Sequence, residues 1–115
     1  MEKKTHISRQ TTAIFQVIKD YADYFKLPQD SLSYQFIQDP MAHHYQLVRL
    51  GWYNGKRVHV VLFHLDLIHD KIWIQLDRTE EGIANWLVER GIEKSEIVLA
   101  YFSPAHRKHT EFAVA

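Results

Sequence analysis

HHYQLVRLGWYNGKRVHVVLFHLDLIHDKIWIQLD, residues 43–77, decides how the chain folds. It reads as three consecutive β-strands. Asn54-Gly55 is the pivot, because Asn and Gly tolerate the positive φ that a two-residue type I′ turn requires, and apolar strand residues flank them. His69-Asp70 makes a weaker second turn before the short strand Lys71–Leu76. Along His43–Tyr53, Val48, Leu50 and Trp52 fall in one alternate set, and Tyr45, Leu47 and Arg49 in the other. Val58–Ile68 is nearly continuous in apolar character, as expected of a central strand or of one whose second face is covered by a partner. The stretch therefore predicts a twisted antiparallel meander.

Outward from it, Ser31–Asp39 alternates Leu32, Tyr34 and Phe36 against Ser33 and Gln35, a further half-buried strand ended by Asp39-Pro40. Before that, Ile14, Ile18, Tyr21 and Phe25 recur at helical spacing, widened by Ile7 and Val17. They predict a helix over about Thr5–Phe25 that Pro28 stops. On the other side, a second helix is predicted from about Glu80 to Arg90. Asp77 or Thr79 would be its N-cap, Glu80 and Glu81 would sit against its dipole, and Gly91 would follow its C-terminus. Ile97–Phe102 returns as a short apolar strand. The expected fold is α+β: an antiparallel β-meander of about four strands plus a short C-terminal strand, with an N-terminal helix and a second helix near residues 80–90, both on one face.

A chain of 115 residues is one domain, 1–115, able to bury roughly two-thirds of its unfolded surface. Acidic and basic residues balance at 14 each, which argues against a dedicated electrostatic DNA binder. With no cysteine there is no disulfide framework and no thiolate metal site. MEKKTHISRQ lacks the apolar core of a signal peptide, and no apolar run approaches membrane-spanning length, so a cytoplasmic protein with no membrane contact is expected.

Eight histidines raise the question of a metal. His64 and Asp66, two apart on a strand, share a face, whereas regular alternation puts His59 on the other, and the adjacent His43-His44 point apart. A structural histidine held by a carboxylate explains the pair better, so no metal or cofactor is expected. Asp66, Asp70, Asp77 and Glu80 fit no nuclease spacing, and no nucleophile elbow is present, so an enzyme is not indicated. The tail carries the cluster His106-Arg107-Lys108-His109 and the apolar ending Phe112-Ala113-Val114-Ala115. Such an ending either docks on its own core or is offered to a neighbour.

The ordered series HYQL at 44–47, Gly51-Trp52, Arg57-Val58, His64-Leu65-Asp66, KIWIQ at 71–75, Asp77 and TEEGIA at 79–84 resembles the fdxN-element excision controlling factor family, the XisI-like proteins of cyanobacteria. Leu87-Val88, Gly91, Ile97-Val98-Leu99, Pro104, Arg107, Thr110 and Phe112–Ala115 continue the match. Asp70 departs from it, standing where the family usually has glycine. The resemblance implies a controlling factor for programmed site-specific DNA excision during heterocyst differentiation, beside a separate recombinase and an XisH-like accessory protein, with no catalytic residue of its own. With a central strand apolar on both sides, an apolar C-terminus and neutral charge without catalytic spacing, the chain is expected to act by protein–protein contact, as a homo-oligomer (a homodimer) or with an XisH-like partner. The expected contact surface is Arg107, Phe112, Ala113, Val114 and Ala115 with the exposed face of the central hairpin. The alternative is direct DNA binding through Arg49, Arg57, Arg107 and Lys108 against phosphates, and a lower one is a metal-dependent hydrolase using His64 and Asp66.

Overall fold

Helix α1, Glu2–Tyr24, lies across one face of a sheet formed by β1 (Leu32–Asp39), β2 (His44–Tyr53), β3 (Lys56–Ile68), β4 (Lys71–Asp77) and β5 (Ile97–Leu99). A short helix α2 (Ile83–Glu89) joins β4 to β5, and a single turn α3 (Pro104–Arg107) precedes the tail. This computed structural model describes residues 2–27 and 31–115, with side chains from Ile7 onward. Pro28, expected to stop the first helix, lies outside the described residues.

The strands stand in the sheet in chain order, β1-β2-β3-β4-β5. The first three pairings are antiparallel, as the meander predicts. Both hairpin turns have two residues at positive φ, 51° and 75° at Asn54-Gly55 and 49° and 64° at His69-Asp70. The Asp70 departure therefore leaves the second turn in the same left-handed class as the first.

β5 differs from a simple meander, for it runs parallel to β4, pairing Ile72 with Ile97 and Ile74 with Leu99. Helix α2 carries the chain back to the starting end of β4, as a parallel neighbour requires. The sheet is thus mixed and mostly antiparallel.

The stripe on α1 packs as its spacing demands. Ile14 and Val17 are fully buried, Ile18 nearly so, and Tyr21 sets its ring edge-on to Phe63 at 5.6 Å. Phe63, Leu65, Ile72, Ile74, Ile83, Leu87 and Ile97 complete that core. The helix is also pinned by polar groups. Arg9 donates to the Gly91 carbonyl at 3.1 Å and ion-pairs with Glu96, while Gln10, fully buried, donates to Glu96 at 3.0 Å and to the Asp70 carbonyl at 2.8 Å.

Burial pushes the Glu96 carboxyl up. The hydrogen bonds from Arg9, the Glu93 amide and Gln10 outweigh this and hold it below its ordinary value. A carboxylate with a depressed native pKa stabilises the fold in full above its unfolded pKa, and that contribution is lost as pH falls through the native value. Thermal unfolding followed from pH 7 to pH 3 is expected to show Tm falling on the acid side. Glu96→Gln should lower Tm at pH 7 and flatten that fall; an unchanged acid slope would remove Glu96 from the account.

The second helix is shorter than the sequence suggests. It begins at Ile83 with Gly82 as N-cap, so Glu80 and Glu81 precede it rather than occupying its first turn. The reason is Asp77. One carboxylate oxygen accepts from the Thr79 amide at 2.9 Å and hydroxyl at 2.6 Å, and the other reaches the Ile83 amide at 2.8 Å. The Thr79 hydroxyl in turn accepts from the Gly82 amide at 3.1 Å. These bonds fold residues 77–82 into a turn and satisfy the helix start from upstream. At the far end, Arg90 lies over Trp86 at 5.0 Å and donates twice to Asp20 of α1, at 3.0 and 3.2 Å.

Candidate functional site

Alternation gives the sheet a second face, turned away from α1. Val48 and Val98 are buried on it yet stand outside the main core. Over β1–β3, around buried Val48, no described residue covers the rest of this face. Ile37 is 47% and Trp52 55% exposed, and half-buried Leu50 and Val61 continue the apolar surface between them. Over β4 and β5 the face is covered by the chain's own tail. Arg107 holds that cover down: its guanidinium stacks over Trp73 at 5.3 Å and donates to the carbonyls of Phe102, Ala100 and Val114 at 3.0, 3.3 and 3.3 Å. At the sheet edge the Ala113 amide donates to the Ile97 carbonyl at 2.8 Å, a parallel bridge that extends the ladder beyond β5, and Lys71 donates to the Ala115 carbonyl at 2.6 Å. Phe112 is half-buried against the core, and Val114 is 50% exposed. Of the two fates open to an apolar ending, docking on its own sheet is the one adopted.

At the boundary between the covered and open halves lies a polar cluster. The Asp66 carboxylate is 7% exposed as a residue. One of its oxygens is 2.7 Å from both His44 Nδ1 and His64 Nε2, and the other accepts from the Gln75 amide at 3.1 Å. Gln46 Nε2 stands 2.9 Å from His64 Nδ1. Burial raises the Asp66 carboxyl, but the hydrogen bonds from His44 and His64, with help from Gln75, hold it below its ordinary value. The same bond to Asp66 raises His44 above the usual imidazole range.

His44 is the member that the sequence reading left out. A regular hairpin from Asn54-Gly55 sets it opposite Leu65, on the face away from His64 and Asp66. Between the pairs Val48–Val61 and Leu47–Phe63 the register slips, leaving Leu62 as an extra residue in β3. Beyond that bulge His44 pairs with Asp66 and shares its face. The same bulge brings His59 to the side of His64, contrary to the regular alternation assumed from sequence, though it pairs far along the strand with Leu50.

The four cations considered for phosphate do not converge. Arg49 pairs with Tyr34 and Val60 on the α1 side, and Arg57 lies over Trp52 at 5.8 Å by the hairpin turn. Arg107 is on the other face from Arg49. Its stacking partner Trp73 aligns with Asp66 and His44, eight strand residues or about 26 Å from the level of Trp52. Lys108 is exposed just after α3.

A mixed five-stranded sheet with one long helix on one face, and a self-docked tail on part of the other, defines a small α+β protein that exposes Ile37 and Trp52 on the rest of that second face. Residues 1–114 match the family model described as XisI protein, and the chain belongs to that family. Its fold is shared with two solved proteins of Anabaena variabilis ATCC 29413. One is a XisI-like protein, 28% identical, with a TM-score of 0.83 over 96% of this chain and 99% of that one. The other is the fdxN element excision controlling factor XisI, 33% identical, with a TM-score of 0.76 over 98% of this chain and 99% of that one. No curated protein sequence matches. Among the described residues no helix is long and apolar enough to cross a membrane.

Proposed function

We propose that this chain is an accessory factor controlling programmed, fdxN-type DNA excision, and that it works in the cytoplasm by protein–protein contact rather than by catalysis. Family membership supports the excision-control role, since one solved relative carries that description. The observation that supports contact is the open face of β1–β3, where Ile37, Leu50, Trp52 and Val61 present apolar surface to solvent. The partner is a second copy of the chain or an XisH-like protein. In this reading the tail contributes Val114 at the rim, while Arg107 positions the tail from beneath. A formal charge of zero and the separation of Arg49, Arg57 and Arg107 give direct DNA binding less support.

Light scattering coupled to gel filtration tests the reading. The expected result is a homodimer, or a complex with a co-expressed XisH-like protein, that Ile37→Glu with Trp52→Glu dissociates without lowering Tm by more than a few degrees. A monomer indifferent to the co-expressed protein would refute contact. Deleting Phe112–Ala115 is a poorer test, because it removes the Ala113–Ile97 bond and the bridge that protects the edge of β5.

A further inference from the structure

We propose that His44, His64 and Asp66 form a site for one divalent cation of the zinc class, independent of the contact reading above. The donors are His44 Nδ1, His64 Nε2 and an Asp66 carboxylate oxygen, all within 4.8 Å of one another. Both nitrogens already stand 2.7 Å from one Asp66 oxygen. Around a tetrahedral ion with bonds of about 2.0–2.2 Å, neighbouring ligand atoms are roughly 3.3–3.6 Å apart. The side chains would accept an ion by giving up the protons that now bridge them, with shifts of the rings and the carboxylate on the order of 1 Å.

The surrounding groups are those that ligands require. A histidine bound through Nε2 must carry its proton on Nδ1 and give it to an acceptor. Gln46 stands at that atom, and turning its amide over presents Oε1 in place of Nε2. Gln75 already fixes the second Asp66 oxygen. The three ligands come from paired strands rather than loops, aligned by the Leu62 bulge, so they are held in place before an ion arrives. His44 has a side chain 53% exposed, which leaves an approach from the open face and positions for water. Two imidazoles with one carboxylate favour zinc, cobalt or nickel over calcium and magnesium, which take oxygen ligands.

A hydrogen-bonded cluster that needs no ion is the rival account, and calorimetric titration of the untagged full chain with Zn²⁺ separates the two. The expected result is one ion per chain and, at a hundredfold excess over Kd, a rise in Tm on the order of 10 °C. His44→Ala and His64→Ala should each weaken binding at least about 100-fold, and Gln46→Leu or Gln75→Leu about 10- to 100-fold. Should His64→Ala fold poorly, the half-exposed His44→Ala decides alone. The paired control His106→Ala with His109→Ala should leave the titration unchanged. The proposal is overturned by no saturable binding, or by binding that survives His44→Ala and disappears with the tail histidines.

Discussion

Replacing Gly51 with alanine is expected to destabilise the protein by about 4 kcal/mol or more, a large share of the ~5–15 kcal/mol that holds a domain of this size. Gly51 has φ 137°, a conformation that side chains rarely adopt. A Cβ built there would stand 1.8 Å from the Ser31 carbonyl oxygen, with the Leu32 Cα at 2.9 Å. Those atoms are backbone and cannot swing aside. The same Ser31 carbonyl accepts from the Trp52 amide at 3.0 Å, so β1 starts by passing directly over Gly51. Making room means lifting β1 away from β2. Urea unfolding should show the midpoint lowered by about 2 M for a slope of ~2 kcal/mol/M. A midpoint equal to that of the unmodified protein would show that β1 does not approach there.

Phe63→Ala should cost about 3–5 kcal/mol. Phe63 is fully buried at the centre of β3, edge-on to Tyr21 of α1 and paired with Leu47 across the sheet. Truncation leaves a cavity between helix and sheet that neither can close, because α1 is fixed at one end by Arg9 and Gln10 and near the other by Asp20. The contrast is Trp52→Ala on the open face, a larger side chain whose removal should move the stability of the monomer, measured at a concentration where no dimer forms, by about 0.5 kcal/mol or less. Equal losses in the monomer would mean that the chain itself covers this face.

What the sequence discloses and what it hides divide along physical lines. Local rules make the two hairpins, the α1 stripe and the alternation of β1 legible, since each depends on neighbours within a few residues. The start of α2 is not, because the Asp77 carboxylate competes for the backbone donors of the residues expected to begin the helix. A three-residue β5 carries no sign of its direction; only the return through α2 makes it parallel. Arg107 looks like any tail cation until distant Trp73, and three carbonyls five to seven residues away in its own segment, are brought beside it. The His44–His64–Asp66 cluster is hidden most completely. One extra residue in β3 changes which face His44 shares, and nothing in the apolar run Val60–Phe63 marks which residue is extra.

The order of strands in the sheet has a bearing on how the chain finds its shape. Because β1 to β4 each lie beside the next strand in the chain, three of the four pairings close over short connections. The entropy of loop closure is then small for most of the sheet. It is concentrated where distant parts meet, as between Arg9 and Glu96, 87 residues apart. Topologies rich in such local pairing reach their folded state faster than those built on remote ones. The meander is thus a surface on which α1, β5 and the tail can close once it exists.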